Sequence, residues 1–277
     1  MIYILLSTYN GERYLPKQLD SIIAQTYSDW RLFARDDGSV DETRAILDSY
    51  ARKDARITVA ADKQNIGAKR SFMSLLEQNG GADYYAFADQ DDIWDTDKLE
   101  ICLKKMQQVE RSYPNSPVVI HTDLRVVDGH LQEIAPSFWK YCNIRPDLLD
   151  DHIRYMAFCP SVTGCTMLFN KAARICSLSI KENALMHDWW IARQTMLAGG
   201  YVVPIWQTTV AYRQHENNVL GATAYSVFKK SWHQRKAENQ RMYQLAFPDI
   251  FSNKIQFWWW KVIYVCHRIL TSRKSHG

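Results

Sequence analysis

DWRLFARDDGSVDETRAILDSY (residues 29–50) holds one full structural unit in twenty-two residues. Leu32, Phe33 and Ala34 form a short apolar run, the mark of a buried strand. Asp36-Asp37-Gly38 ends it, because Asp and Gly favour tight-turn geometry. Ser39 and Glu42 have capping-box spacing, which predicts that a helix opens there and carries Ala45, Ile46 and Tyr50. The order is therefore strand, polar turn, helix.

The same order recurs on both sides. IYILLSTY (2–9) is an apolar run, and Leu15, Leu19, Ile22 and Ile23 follow at helical spacing. RITVAA (56–61) precedes a helix over 68–78, and YYAFAD (84–89) precedes one with Leu99, Cys102, Leu103 and Met106, capped by Thr96. Repeated strand–helix alternation predicts an α/β fold: a doubly wound, mostly parallel sheet with helices on both faces. After PVVIHTDLRVVD (117–128) the alternation breaks, and residues 129–160 are aromatic, irregular and Pro-containing. It resumes with GCTMLF (164–169), a helix from Lys171, a second helix through MHDWWIARQTMLAGG (186–200), and YVVPIW (201–206). A length of 277 residues suits one large domain with an appendage. The expected division is a catalytic domain over 1–222, with halves at about 1–115 and 116–222, and a helical tail over 223–277.

In sheets of this kind ligands bind beyond the carboxyl ends of the strands. Three polar clusters fall there: STYN (7–10), RDDGS (35–39) and DQDD (89–92). The last opens FADQDDIWDTD (87–97), where five of eleven residues are aspartates. Crowded carboxylates raise one another's pKa and cost stability unless a cation or solvent separates them. So the run either holds a cation or solvates a turn with Asp95 or Thr96 as a helix cap. No G-x-G-x-x-G follows the first strand and no G-x-x-x-x-G-K-[ST] occurs, so neither a Rossmann nor a P-loop phosphate site is present.

STYNGERYL, DDGSVDET, NIGAKRSF, ADQDDIW, GCTMLF, HDWW and YRQHENN occur in this order over residues 7–218. Together they closely resemble the family 2 glycosyltransferases of bacterial surface-polysaccharide pathways such as O-antigen and capsule synthesis, which have the GT-A fold. HDWW and YRQHENN look most like the rhamnosyltransferase branch. The resemblance implies Mg²⁺ or Mn²⁺ on Asp89 and Asp91, supported by Asp92, with His215 joining the metal or the diphosphate. Hard oxygen ligands suit such a cation, which bridges a nucleoside diphosphate. It also implies that Ser7, Tyr9 and Asp37 hold the nucleotide base, with Asn65, Lys69 and Gln90 as further nucleotide contacts. Asp188 becomes the base that takes the acceptor hydroxyl's proton. Its structural alternative is the N-cap of the helix that follows. Trp189 and Trp190 are either an acceptor platform or core, and Arg213 faces phosphate or bridges carboxylates. The family often reads Glu-Asp where this chain has His187-Asp188.

The implied reaction is inverting transfer of a sugar, L-rhamnose from dTDP-L-rhamnose first, onto a lipid-linked oligosaccharide. A UDP-hexose transferase of the same fold is the nearest alternative, and a catalytically silent carbohydrate- or membrane-binding scaffold is the non-enzymatic one. No nucleic-acid partner is expected.

Ten basic residues stand against Glu238 and Asp249 after Ala222, giving the tail +8; the whole-chain net of +4 leaves −4 for the body. IQFWWWKVIYVCHRIL (255–270) is too short and too interrupted to span a bilayer, which needs about 20 apolar residues. Trp mixed with Lys and Arg suits a helix lying on anionic lipid, and packing on the domain or on a second copy is the alternative. None of the six cysteines forms a C-x-x-C pair, and they fit buried free thiols. MIYILLSTYNGERYL lacks a basic start and a cleavage site. The expected location is cytoplasmic, peripheral on the inner membrane face.

Overall fold

The computed structural model describes residues 1–62, 64–148, 152–158, 161–182, 184–216 and 249–272, seven more between 236 and 246, and side chains as far as His267. Lys229, Lys230, Arg235, Arg241, Arg273 and Lys274 of the basic tail lie outside the described residues, as does the end of YRQHENN. The strands are β1 (Ile2–Thr8), β2 (Trp30–Asp36), β3 (Ile57–Val59), β4 (Tyr84–Asp89), β5 (Ile93–Trp94), β6 (Val118–Val127), β7 (Glu133–Ala135), β8 (Met167–Asn170) and β9 (Tyr201–Arg213). The helices are α1 (Leu15–Ile23), α2 (Thr43–Lys53), α3 (Ala68–Gln78), α4 (Lys98–Ser112), α5 (Phe138–Tyr141), α6 (Ile153–Met156), α7 (Lys171–Ser177), α8 (His187–Leu197) and α9 (Lys254–Ser272).

Among the described residues the nine strands form one sheet in the order β3-β2-β1-β4-β8-β6-β9-β5, with β7 beside β6. The predicted parallel core is β3-β2-β1-β4. β8 enters antiparallel between β4 and β6, and β9 runs parallel to β6, so six of the nine strands share one direction. Successive residues point to opposite faces. Ile2, Ile4 and Leu6 of β1 enter the core under α1, α2 and α4. Leu5 enters the core under α3, α7 and α8. The helices on both faces follow from this division.

The sheet also curls. Four strand spacings separate β4 from β5, about 19 Å in a flat sheet. Only residues 90–92 join them, and the four steps from Asp89 to Ile93 reach about 14 Å at most. β5 therefore closes back, pairing Ile93 with Ala211 and Trp94 with Val210. This folding lays the carboxyl end of β9 over the acidic turn after β4.

The structure departs from sequence expectation at several points. The capping box does not form: Ser39 Oγ donates to Asp36 Oδ1, and α2 starts at Thr43, whose N–H donates to Asp41 Oδ1 at 3.0 Å. Thr96 does not cap α4, whose N-cap position is Asp97. YVVPIW continues to Arg213, past an irregularity where the pairing passes from Thr122–Ile205 to Asp123–Thr208. Part of the tail packs on the domain, which is one of the alternatives named for it. Phe251, Phe257 and Tyr264 are buried in the same core as α3 and α8, and buried Arg193 of α8 forms an ion pair with Asp249.

Candidate active site

The carboxyl ends of β1, β2 and β4 open onto a cavity of about 390 Å³, whose far wall is α8 and the turn at Thr163-Gly164. Eight residues singled out in the sequence line it: Ser7, Tyr9, Asp37, Asn65, Asp89, Gln90, Asp91 and Asp188. Lys69 and His215 do not. Lys69 donates instead to the carbonyls of Glu182 (2.7 Å) and Ala184 (3.0 Å), tying the approach to α8 onto α3. Two of the ammonium's three donors are thus engaged outside the cavity lining.

On the strand-end side, Gln90 exchanges two hydrogen bonds with the Tyr9 backbone. It accepts from Tyr9 N–H at 2.8 Å and donates to Tyr9 C=O at 2.9 Å. This amide lies over Gly11, where an added Cβ would stand 2.2 Å from its oxygen. The Tyr9 side chain is left exposed at the mouth. Asp37 is buried and accepts from Arg35, Ile66 N–H (2.9 Å) and Gly67 N–H (2.8 Å). Arg35 also donates to Ser71 Oγ (3.1 Å), which accepts from Ser7, and to Asp62 and the Gln64 carbonyl. One guanidinium thus fixes the loop that carries Asn65. Sequence reading missed Arg35, although an arginine beside Asp36-Asp37 after an apolar run was a signal. Asp36 makes the turn, as the Asp-Gly pattern allows, and Gly38 takes the left-handed φ of +83° that the turn requires.

The aspartate run divides by function. Asp95 pairs with Arg125 through two bonds of 2.6 and 2.7 Å, and Asp97 sits at the start of α4. Asp92 is buried and accepts from Arg213 N–H at 3.2 Å, with Oδ2 lacking a partner. Asp89 and Asp91 face the cavity. His215 Nε2 stands 2.7 Å from Asp91 Oδ2, and its ring packs on Tyr14 at 4.9 Å. Arg213 staples β9 to the turn by donating to the carbonyls of Asp91 (2.8 Å) and Gly129 (3.0 Å), so its part here is structural. Burial, then Asp91 and Asp188, raise the Asp89 pKa. Burial, then Asp91 and Asp89, raise that of Asp92 well above the carboxylate range. The Cys165 thiol adjoins both, with ligand atoms within 4.8 Å of one another. The same factors push this thiol up, so it stays protonated.

Across the cavity Asp188 lies in the first turn of α8, whose N-cap is Met186. Its Oδ2 accepts from Gly164 N–H at 2.9 Å and its Oδ1 from Trp189 N–H at 2.6 Å. The N-cap alternative is therefore replaced by a first-turn position. His187 is buried, stacked on Phe72 at 4.2 Å, and would lie 2.9 Å from a Cβ on Gly164. Trp189 and Trp190 are core: their indole N–H groups donate to the carbonyls of Met156 (3.1 Å) and Ser177 (2.9 Å). Thr163, Met186 and Tyr212 also line the cavity, and of these only Tyr212 lay in a quoted motif, YRQHENN.

The lining carries four carboxylates, Asp37, Asp89, Asp91 and Asp188, and among the described residues no Lys or Arg. Arg35 neutralises Asp37 from behind. Asp89, Asp91 and Asp188 remain in the lining, with the His215 imidazole beside Asp91 just outside it, and carboxylate oxygens of this kind suit Mg²⁺ or Mn²⁺.

Comparison with known proteins agrees with this geometry. The sequence matches the model for glycosyl transferase family 2 over residues 3–171. It is 35% identical over 108 residues to TuaG of Bacillus subtilis, named as a teichuronic acid biosynthesis glycosyltransferase, covering 39% of this chain and 42% of that protein. It thus spans less than half of that relative. It is 27% identical over 234 residues to RfbG of Shigella flexneri, named as a dTDP-rhamnosyl transferase, covering 78% and 74%. The fold resembles S. aureus TarS, crystallised with UDP-GlcNAc, with a TM-score of 0.59 at 16% identity over 88% of this chain and 71% of that one. With more than half of its length inside the family model, on a GT-A fold, the chain belongs to glycosyl transferase family 2.

Proposed function

We propose that the protein transfers a sugar from a nucleoside-diphosphate donor to a lipid-linked glycan, with inversion, in surface-polysaccharide synthesis. The observation that carries this is the charge of the cavity wall, where three carboxylates lack a balancing Lys or Arg among the described residues. An anionic diphosphate is repelled from such a wall unless a divalent cation lies between them. Asp89 and Asp91, with His215 beside them, would hold that cation, which neutralises the charge gathered by the leaving diphosphate. Tyr9, Ser7, Asp37 and Asn65 receive a pyrimidine base. Tyr9 offers a stacking face, and Asp37 sets the loop that carries Asn65.

Asp188 takes the proton of the acceptor hydroxyl as its oxygen attacks the anomeric carbon. Gly164 N–H and the α8 backbone aim the carboxylate, and each oxygen keeps acceptor capacity beyond its one bond. A single base without a covalent intermediate gives inverted configuration. The RfbG likeness favours dTDP-L-rhamnose as donor, while TarS binds a UDP sugar, and the pyrimidine site accommodates either base. A lipid-linked acceptor would place the work at the inner membrane face.

Calorimetric titration of dTDP-L-rhamnose, UDP-glucose, UDP-galactose and GDP-mannose, with Mn²⁺ and then with EDTA, tests the reading. Metal-dependent binding of one pyrimidine donor is expected. Folded protein that binds no donor and no bare nucleoside diphosphate would sink it.

A further inference from the structure

α9 is apolar on two opposite sides, and among the described residues the protein core buries only one of them. Phe257 and Tyr264 are buried, with Trp260 and Ile263 packed beside them, in the core that holds Tyr155 and Phe158. On the other side Ile255, Trp258, Trp259, Val262 and Val265 are 82, 49, 66, 58 and 41% exposed. Their spacing of i, i+3, i+4, i+7 and i+10 places all five on one stripe. Single exposed apolar residues are ordinary, but a contiguous run that includes two tryptophans marks a contact surface.

We infer that this stripe seats the protein on an anionic lipid bilayer, with α9 lying in the interface plane. Among the described residues no helix is long and apolar enough to cross a membrane, so the stripe lies on the bilayer rather than through it. Trp258 and Trp259 suit the headgroup level, where an indole keeps its ring in apolar surroundings and its N–H in water. Lys254 and Lys261 lie seven residues apart on one flank; the Lys261 ammonium donates to Asn239 and lies 5.8 Å from the Trp258 ring centroid, so it carries its positive charge at the edge of the stripe, where anionic headgroups would meet it. The surrounding segment carries ten basic residues against two acidic ones. That charge also disfavours a second copy as the occupant, because a two-fold contact here would press two tails of +8 together.

The inner face of α9 gives the contact a use, which rests on the reading of a lipid-linked acceptor. Tyr264 of α9 packs on Tyr155 of α6. The next residue, Met156, accepts from the indole of Trp189, which follows Asp188. Arg193 of the same helix grips Asp249, just before α9. Seating α9 on lipid therefore sets the height of Asp188 above the surface from which a lipid-carried glycan projects.

The test is co-sedimentation of the full chain with vesicles of phosphatidylglycerol and phosphatidylcholine (1:1) and of phosphatidylcholine alone, with donor calorimetry and light scattering alongside. Wild type is expected to pellet with the anionic vesicles and to be released by high salt. Trp258→Ala with Trp259→Ala should weaken that binding more than about tenfold. Lys254→Gln with Lys261→Gln should weaken it about 30-fold, at about fivefold per basic residue. Both variants should keep the wild-type melting point and donor affinity. Wild type that binds donor but ignores anionic vesicles overturns the inference and leaves the proposed function standing. So does a tryptophan variant that pellets like wild type, or a wild-type dimer that this variant dissociates. Vesicle binding without donor binding supports the membrane contact and removes the glycosyltransferase reading.

Discussion

His215 Nε2 lies 2.7 Å from Asp91 Oδ2, although the two residues are 124 positions apart. Sheet closure brings them together, since β5 pairs with β9 and so returns the end of β9 to the turn after β4. Under the proposed function this carboxylate oxygen and ring nitrogen would turn from each other to a shared divalent cation. Asp91→Asn should abolish the Mn²⁺-dependent part of donor binding, read by calorimetry. His215→Ala should weaken that binding about 10–100-fold, the size usual for groups that position or assist a ligand. An Asp91→Asn protein with unchanged Mn²⁺ dependence would remove Asp91 from the metal site.

Asp188→Asn separates chemistry from structure. The variant keeps an acceptor oxygen for Gly164 N–H but cannot take a proton. Turnover should fall about 10²–10⁴-fold with the donor Kd nearly unchanged. Stability should fall by only about 0.3–1 kcal/mol, the value of a negative charge in a helix's first turn. Wild-type turnover per folded molecule, together with a collapsed melting point, would return Asp188 to a structural role.

Local features of the fold were legible in the sequence, and contacts made by closure were not. Ala68–Gln78 and Tyr84–Asp89 have the limits that periodicity assigns them, because each is a single run between polar turns. Ser39-Glu42 failed as a cap because Ser39 had a nearer acceptor in Asp36, and no spacing rule weighs that competition. Ile93–Trp94 is too short to show a period, yet this pair of residues closes the sheet. Three strand-end clusters converged on one cavity as alternation predicts. The partners of Lys69, Glu182 and Ala184, were not legible because they approach from a distant segment. Gly164 was visible only as part of a strand motif, and its role depends on His187 and Asp188 arriving beside it.

Gly199 and Gly200 end α8 and make unequal predictions for different reasons. A Cβ on Gly200 would lie 2.2 Å from the Pro117 carbonyl oxygen, which is backbone and already accepts from Tyr201 N–H at 2.9 Å. That oxygen cannot swing aside as a side chain can. Gly200→Ala should therefore cost about 1–3 kcal/mol or more, as overpacking does. Gly199 has open space but a φ of +73°, so Gly199→Ala should cost only about 1–2 kcal/mol, the left-handed penalty. Urea unfolding of the two variants checks the order, and equal stabilities would show that the β9 approach relaxes freely.

His121 on β6 supplies a pH test. It is fully buried against Trp139, neither ring nitrogen has a partner, and burial lowers its pKa from 6.5 to about 3. The folded state thus holds it neutral where the unfolded chain protonates it. The stability this represents is complete above pH 6.5 and is lost as pH falls from 6.5 toward 3. Asp54 and Asp249, held low by Arg56 and Arg193, add losses of their own only near and below their ordinary value of 3.8. Asp89 and Asp92, held high, push the other way, so the informative quantity is variant minus wild type. His121→Phe should keep an aromatic contact with Trp139 while removing the titration. Its melting point should fall less than the wild-type one between pH 6.5 and 5. The remaining fall should include His187, whose pKa burial also lowers. Parallel melting-point curves for the two proteins across that window would mean that His121 accepts a proton without cost to the fold.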